Sequence, residues 1–367
     1  MRVVFDYRPA LRARSGVGEY VHQAARAFAL RFPDDRLTLF TSSWRDRPAP
    51  NLAADIAGAR VSDHRVPVSI LNAAWHWLES PPVEFLTGER YDVAFSPHPL
   101  LLPSRRAARV VMIHDLDFMS HPERTHREIR RDYPRLAKSH ARRAARVVVP
   151  SEYTAREVVQ RLGVARERVA VCSPGVPDWR DPVRPFARDG YILFMGTLER
   201  RKNLGALLAA YGRLIAMRPD APTLVLAGQA RDDAREDLDA LSRAPLAGRV
   251  EHIGYVPPDD RQKVYAGARA LVLPSFDEGF GMPVLEAMSL GIPVVVSDRG
   301  ALPEVAGDAA VVVPPDDVQA IASALDRVSR DDALAESLAA RGMERARRFT
   351  WTSTADALHG VFAAIVP

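Results

Sequence analysis

Short apolar runs recur along the chain and alternate with stretches whose hydrophobic residues return every three or four positions. The runs at 2–5, 36–41, 92–96, 110–113, 146–149 and 168–172 are rich in β-branched residues and too short for helices, so they predict strands. A second series follows at 191–195, 223–227, 249–253, 271–273, 292–296 and 310–313. Strands that are apolar throughout and separated by helical stretches predict parallel sheets covered on both faces. Helices are predicted from the glycines at 16 and 18 to about residue 31, over 127–143, from a Ser151 cap to Gly163, after Asn203 as a cap, over 259–268, over 316–348 and over 352–365. A charged amphipathic helix should join the strands at 223–227 and 249–253. From 42 to 88 the pattern loosens. The breaker-rich run 173–182 predicts an inter-domain linker. The expected architecture is α/β with two domains, 1–178 and 185–349.

Composition adds limits to this picture. A chain of 367 residues suits two domains better than one core. Hydrophobic residues at 47% and charged ones at 26% describe a soluble globular protein. Cys172 is the only cysteine, so it has no intramolecular disulfide partner; a buried thiol and a reducing cytosol are expected. The opening MRVVFDYRP reads as a first strand, not a secretion signal, and no run approaches the roughly 20 apolar residues of a membrane span. The net charge is +4, with arginine clusters at 105–109 and 142–146 that read as solvated faces. Nucleic acid is not an expected partner; a peripheral contact with anionic lipid at the inner face of the membrane is the alternative use of such clusters.

The richest chemistry lies in LVLPSFDEGFGMPVLEAMSLGIPVVVSDRGALPE, residues 271–304. Two carboxylates, Glu278 and Glu286, stand eight residues apart between two predicted strands. Gly281 can cap a short helix with Pro283 in its first turn and Gly291 after its last, which places Glu286 near the first turn. A helix start at the carboxyl end of a parallel strand presents unpaired amides to an anion. Gly279 and Gly281 let the backbone around Phe280 approach a ligand. Taken alone, Glu286 is more usually read as a favourable partner of the helix dipole.

Three further groups sit at predicted strand ends. Gly16 and Gly18 open a helix after the first strand and read either as a packing turn or as phosphate-facing amides. His114 ends a strand at the edge where doubly wound sheets bind ligands, with Asp117 and His121 close behind. Arg201 and Lys202 precede a helix N-terminus, where the dipole disfavours cations, so a diphosphate would explain them and a solvated loop is the plainer alternative. Arg200 is their neighbour. Asp232-Asp233 and Asp259-Asp260 read as helix caps, and no convincing metal site appears.

The segment E-G-F-G-M-P-V-L-E followed by A-M-S-L-G-I-P-V-V-V-S closely resembles the Glu-x7-Glu signature of retaining nucleotide-sugar glycosyltransferases of family 4. SGVGEY, MIHDLDFMSHPE, the βαβ stretch 147–176 and GTLERRKNL resemble further family segments in the family's order. The resemblance implies a GT-B fold, in which two Rossmann-like domains face each other across a cleft and the C-terminal helix, 350–367, crosses back to the N-terminal domain. It implies donor-phosphate amides at Gly16 and Gly18, a sugar contact from His114, a phosphate-binding pair in Arg201 and Lys202, and a nucleobase held near Tyr255 and Val256. Glu278, with the amides of Gly279, Phe280 and Gly281, would hold the sugar, and Glu286 the ribose.

The implied activity is that of a cytoplasmic, metal-independent retaining hexosyltransferase with no cofactor beyond its nucleoside diphosphate sugar. GDP-mannose is the leading donor, and a sugar, lipid-linked or small-molecule hydroxyl the acceptor. The run Leu71-Asn-Ala-Ala-Trp-His-Trp-Leu78 is core packing or, since the family's N-terminal domain handles the acceptor, an acceptor or membrane contact. A nucleotide-sugar epimerase and a catalytically silent donor-binding subunit are the alternatives.

Overall fold

β1 (Arg2–Asp6) lies inside a seven-stranded, wholly parallel sheet with β2 (Arg36–Ser42), β3 (Arg60–His64), β4 (Val93–Ser96), β5 (Ala108–Met112), β6 (Arg146–Val149) and β7 (Val169–Val171). Its order is β3-β2-β1-β4-β5-β6-β7. β8 (Tyr191–Met195), β9 (Leu224–Ala227), β10 (Val250–Gly254), β11 (Ala268–Leu273), β12 (Val294–Ser297) and β13 (Ala310–Val313) form a second parallel sheet, β10-β9-β8-β11-β12-β13. The computed structural model describes residues 1–11, 14, 16–121, 132–179 and 186–366. Met1–Gly175 with Thr350–Pro367 make one unit and Val176–Phe349 the other. Two Rossmann-like folds are thus present.

In each sheet the strand order reverses once, between β1 and β4 and between β8 and β11. There the connections leave towards opposite sides and open a crevice at the carboxyl ends of the strands. These two reversals decide where chemistry can be built.

The first unit closes its core with the last helix of the chain, Trp351–Ala363. Phe362 from that helix meets Phe95 of β4 at 5.6 Å and Phe28 of the helix Val17–Arg31 at 5.8 Å between ring centroids. Phe5 of β1 completes the cluster, 4.9 Å from Phe95. Each such tilted or edge-on pair adds about 0.5–1.5 kcal/mol beyond the burial itself. Cys172 is buried, and its thiol is pushed up to about 12 by desolvation, so it is an inert core group.

Several boundaries differ from the sequence reading, each for a local reason. β3 falls where the apolar pattern loosens. It is an edge strand carrying Ser62, Asp63 and His64; Asp63 accepts a hydrogen bond from Thr41 and pairs with Arg47. Between β9 and β10 the expected single helix is broken into the turns Asp232–Ala234, Arg235–Asp239 and Ala240–Ser242. Asp233 does not cap its own turn but accepts from the Arg200 amide at 3.1 Å, and Asp259 and Asp260 lie in a first turn without capping it. Of the expected linker, 176–179 already belong to the second unit: Trp179 donates to Ser289 Oγ at 2.8 Å, while 180–182 lie outside the described residues. The basic helix is described as Tyr133–Arg143, its predicted first residues falling outside. Ser151 caps its helix as expected, accepting from the Thr154 amide.

Candidate functional site

In the second unit the reversal of strand order brings the loop after β8 beside the loop after β11. β8 gives way to Gly196, with φ 146°, and then to a short turn, Arg200–Lys202. Asn203 follows in the left-handed region, with φ 60°. It stands at the start of the helix Leu204–Met217, yet its side chain does not cap that helix as expected. Its amide donates instead to the carbonyls of Pro274 at 3.0 Å and Pro315 at 2.8 Å, tying the turn to the loops after β11 and β13. The Phe276 amide donates to the Arg201 carbonyl at 2.9 Å, a second tie between the loops.

These ties place four buried or nearly buried charges together. Lys202 Nζ donates to Glu278 Oε1, which also accepts from Ser275 Oγ at 2.9 Å. Arg201 reaches Glu278 Oε2 at 3.3 Å and the Asp277 carbonyl at 2.9 Å, while its other side donates to Glu199 Oε1 at 2.9 and 3.2 Å. Arg231 holds the second oxygen of Glu199 at 2.9 Å. Burial alone would raise the Glu278 carboxyl, but Lys202 and Arg201, with the bonds from Lys202 and Ser275, outweigh it and hold the group below its ordinary value. Glu199 is held low in the same way, against burial, by Arg201 and Arg231. Three cations and two carboxylates thus meet in one network of ion pairs.

The sequence reading assigned Glu278 and the two cations separate tasks; the structure adds direct contact between them. Arg201, Lys202 and Glu278 form one network. Glu199, Arg231 and Ser275 complete it; Glu199 and Ser275 lie within the quoted segments without having been singled out, and Arg231 lies outside them.

Glu286 is held by a different set. It is the fifth residue of the helix Met282–Ser289, beyond the first turn, so the helix-dipole reading falls. Its Oε2 accepts from the buried Tyr265 hydroxyl at 2.7 Å, and Arg261 stands 3.7 Å from Oε1. Gly281 takes φ 103°, and a Cβ there would come 2.6 Å from Leu302 Cδ2. The Phe280 ring is buried against Phe349, 5.7 Å away, which leaves its backbone as the only part open to a ligand. Tyr255 is exposed at the end of β10 and Val256 buried beside it. Gly300, which sequence reasoning missed, has φ 63°. A Cβ there would lie 2.5 Å from the Glu278 nitrogen and 2.6 Å from its oxygen, so this glycine lets the 297–301 loop brace Glu278 from behind.

The remaining predicted residues lie in the first unit. Gly16, with φ 51°, precedes the helix Val17–Arg31, and a Cβ on Gly18 would meet the Pro9 carbonyl at 2.8 Å, which fits the packing-turn reading of that glycine. Tyr20 from the same helix packs edge-on to His114 at 5.3 Å, which brings this loop and His114 to one place. His114 Nε2 lies 3.1 Å from the Pro97 carbonyl, and because a carbonyl only accepts, that nitrogen carries the proton. Burial lowers the imidazole to about 4, so it is neutral near pH 7 and its Nδ1 is an acceptor. Asp117 and His121 bound a single helical turn just beyond. Among the described residues no group of three or more His, Cys, Asp or Glu could hold a metal ion, and no helix is long and apolar enough to cross a membrane.

Comparison with known proteins places this geometry. Residues 14–180 match the family description "Glycosyltransferase Family 4" and residues 176–345 match "Glycosyl transferases group 1". O-antigen chain mannosyltransferase B of Escherichia coli is 30% identical over 371 residues, covering 96% of each chain. Among solved structures, sucrose-phosphate synthase from Thermosynechococcus elongatus superposes with a TM-score of 0.76 at 21% identity, over 100% of this chain and 99% of that one. Anabaena HepE, solved in complex with UDP-glucose, gives 0.73 at 18% identity, over 99% and 100%. At these identities the two structures speak for the fold.

Proposed function

Because the chain belongs to glycosyltransferase family 4, we propose that it moves a hexose from a nucleoside diphosphate sugar to an acceptor hydroxyl with retention at the anomeric carbon. The observation that carries this reading is the contact of Arg201 and Lys202 with Glu278 at the strand reversal of the second unit. Mannose from GDP-mannose is the leading donor, supported by the name of the Escherichia coli relative.

The family resemblance suggests the roles, and the contacts support them. Arg201 and Lys202 meet the diphosphate and stabilise the charge that grows on it as the bond to the sugar breaks. Glu278 holds both cations in place and offers its carboxylate to a sugar hydroxyl. Glu286 binds the ribose hydroxyls, with the nucleobase beside Tyr255 and Val256, and His114 accepts a hydrogen bond from a sugar hydroxyl through Nδ1. In the bond change, the C1–O bond to the diphosphate breaks as the acceptor oxygen bonds C1 on the same face. The acceptor proton passes to the departing phosphate oxygen, so no cofactor is consumed. A peripheral contact with an anionic membrane belongs to the same reading, supported by the exposed apolar side chains Trp77, Leu78 and Phe85.

A thermal-shift screen with GDP, UDP and ADP sugars, followed by product analysis with an acceptor panel in EDTA, tests the proposal. GDP-mannose should raise the melting temperature most, since a ligand that binds only the folded state stabilises it. An α-linked product should form from the α-configured donor. A donor that binds yet is neither transferred nor hydrolysed, or one whose sugar is epimerised without acceptor, would defeat it. Glu278→Gln should abolish transfer, and the wild-type chain incubated with a slow 2-fluoro analogue of the donor sugar should carry no covalent glycosyl adduct; an adduct on Glu278 by mass spectrometry would replace the same-face route by a nucleophile.

Tyr265→Phe removes the hydroxyl that fixes one oxygen of Glu286. The expected result is GDP binding weakened about fivefold to tenfold, from the loss of a hydrogen bond to a charged group, with kcat at saturating donor changed less than twofold. Calorimetric titration with GDP measures it. Unchanged affinity would remove Glu286 from the ribose.

A further inference from the structure

A second polar network sits at the strand reversal of the first unit, and none of the proposed roles uses it. Asp6, the last residue of β1, is wholly buried and accepts from Arg8 Nε at 2.8 Å, Arg8 Nη2 at 2.6 Å and His98 Nε2 at 2.9 Å. The third nitrogen of Arg8 donates to Asn72 Oδ1 at 2.9 Å, and the guanidinium lies 4.5 Å over the Trp75 ring. His98 Nδ1 accepts from the Leu100 amide at 3.3 Å, so Nε2 carries its proton towards Asp6. His140 Nδ1 accepts from the Leu101 amide at 2.8 Å and fixes the same loop.

The helical stretch 68–78 lies over this network, and it resolves the ambiguity of the Leu71–Leu78 run. Trp75 is 2% exposed and packs with Phe40, whereas Trp77 is 60% exposed. Asn72 and His76, four residues apart, share the face that looks towards Arg8 and His98. The Asn72 amide hydrogens and both ring nitrogens of His76 have no hydrogen-bond partner among the described residues. His76 is half-buried, and desolvation first, then His98, Arg8 and His140 nearby, lowers it to about 4. It is therefore a neutral imidazole with one donor and one acceptor to offer.

We infer that Asn72 and His76 bind hydroxyls of the acceptor, and that this acceptor is an uncharged sugar. A phosphorylated acceptor would call for a cation whose charge is not already met by a carboxylate. Three of the five Arg8 N–H groups already donate, its charge is met by the buried Asp6, and the neighbouring cations Arg109 and Arg143 both converge on Glu79. An amide and a neutral imidazole match hydroxyls, which both give and accept hydrogen bonds. The crevice at a strand reversal is where such a ligand is expected in a doubly wound sheet.

The inference rests on the glycosyltransferase reading for its word acceptor, but its test is binding, so the two fail separately. Saturation-transfer NMR of the full chain with methyl α-mannoside and with mannose 6-phosphate compares the same sugar with and without the anion. The methyl glycoside should bind more tightly. His76→Ala should weaken it about fivefold or more, the worth of one hydrogen bond. Asn72→Asp keeps the oxygen that Arg8 needs and exchanges amide donors for acceptors, so it should weaken methyl glycoside binding similarly while the melting temperature stays within a few degrees of wild type. Tighter binding of mannose 6-phosphate, methyl glycoside affinity unchanged in both variants, or no binding of the methyl glycoside to the wild-type chain each overturns the inference.

Discussion

Lys202→Met is expected to lower kcat about a hundredfold to a thousandfold, the usual worth of one preorganised group aimed at charge that develops in a transition state. Methionine keeps most of the aliphatic volume, so the loss reports the ammonium. Glu278 keeps only the Arg201 contact at 3.3 Å and the Ser275 hydrogen bond at 2.9 Å. Leaving a buried carboxylate short of a cation should also cost stability, about 3 kcal/mol. The pH dependence of that deficit identifies its source. Glu278 is held below its ordinary value of 4.5 in the folded chain, so its pairing stabilises the fold above about that pH and is lost as pH falls through the lowered value. The deficit of Lys202→Met measured by urea unfolding should therefore be full at pH 7 and shrink in acid. A kcat within tenfold of wild type would take Lys202 off the leaving group, and a deficit equal at both pH values would take it off Glu278.

Gly300→Ala should be damaging at a position that bears no chemistry. Alanine at φ 63° is strained, and its methyl would lie 2.5 Å from the Glu278 nitrogen, so the two loops must part. A loss of about 2–4 kcal/mol is expected from strain and overlap together. A displacement of Glu278 by about an ångström should cost about a hundredfold in kcat/KM. Gly58→Ala is the control: φ there is 84° with nothing within 4 Å of the added carbon, so it carries backbone strain alone. Melting temperatures and kcat/KM of the two variants decide the matter. If Gly300→Ala is no more harmful than Gly58→Ala, the bracing of Glu278 is wrong.

How much the sequence disclosed depends on how each feature is encoded. β4, β6 and β8 fall within the predicted runs because a strand buried on both faces must be apolar throughout. β3 escaped notice because an edge strand with one side near solvent can carry Arg60, Asp63 and His64. At the site, Lys202 and Glu278 were legible as residues, but their contact was not, since 76 positions separate them and only the pairing of β8 with β11 brings them together. Tyr265 was hidden for the same reason: nothing in a tyrosine 21 residues before Glu286 marks it as that carboxylate's donor. Asn203 was read as a cap from its place before a helix, yet two carbonyls from distant loops outcompete the helix for its side chain.

The helix Trp351–Ala363 adds an order of events during synthesis. Phe362 fills a core whose other walls, Phe5, Phe28 and Phe95, are made first, with the whole of the second unit translated in between. The second unit holds every strand of its sheet in one uninterrupted stretch and can finish on the ribosome, while the first must wait with an open aromatic slot. Slow decoding or early termination before residue 351 would thus leave the first unit with a sticky, unfilled aromatic slot.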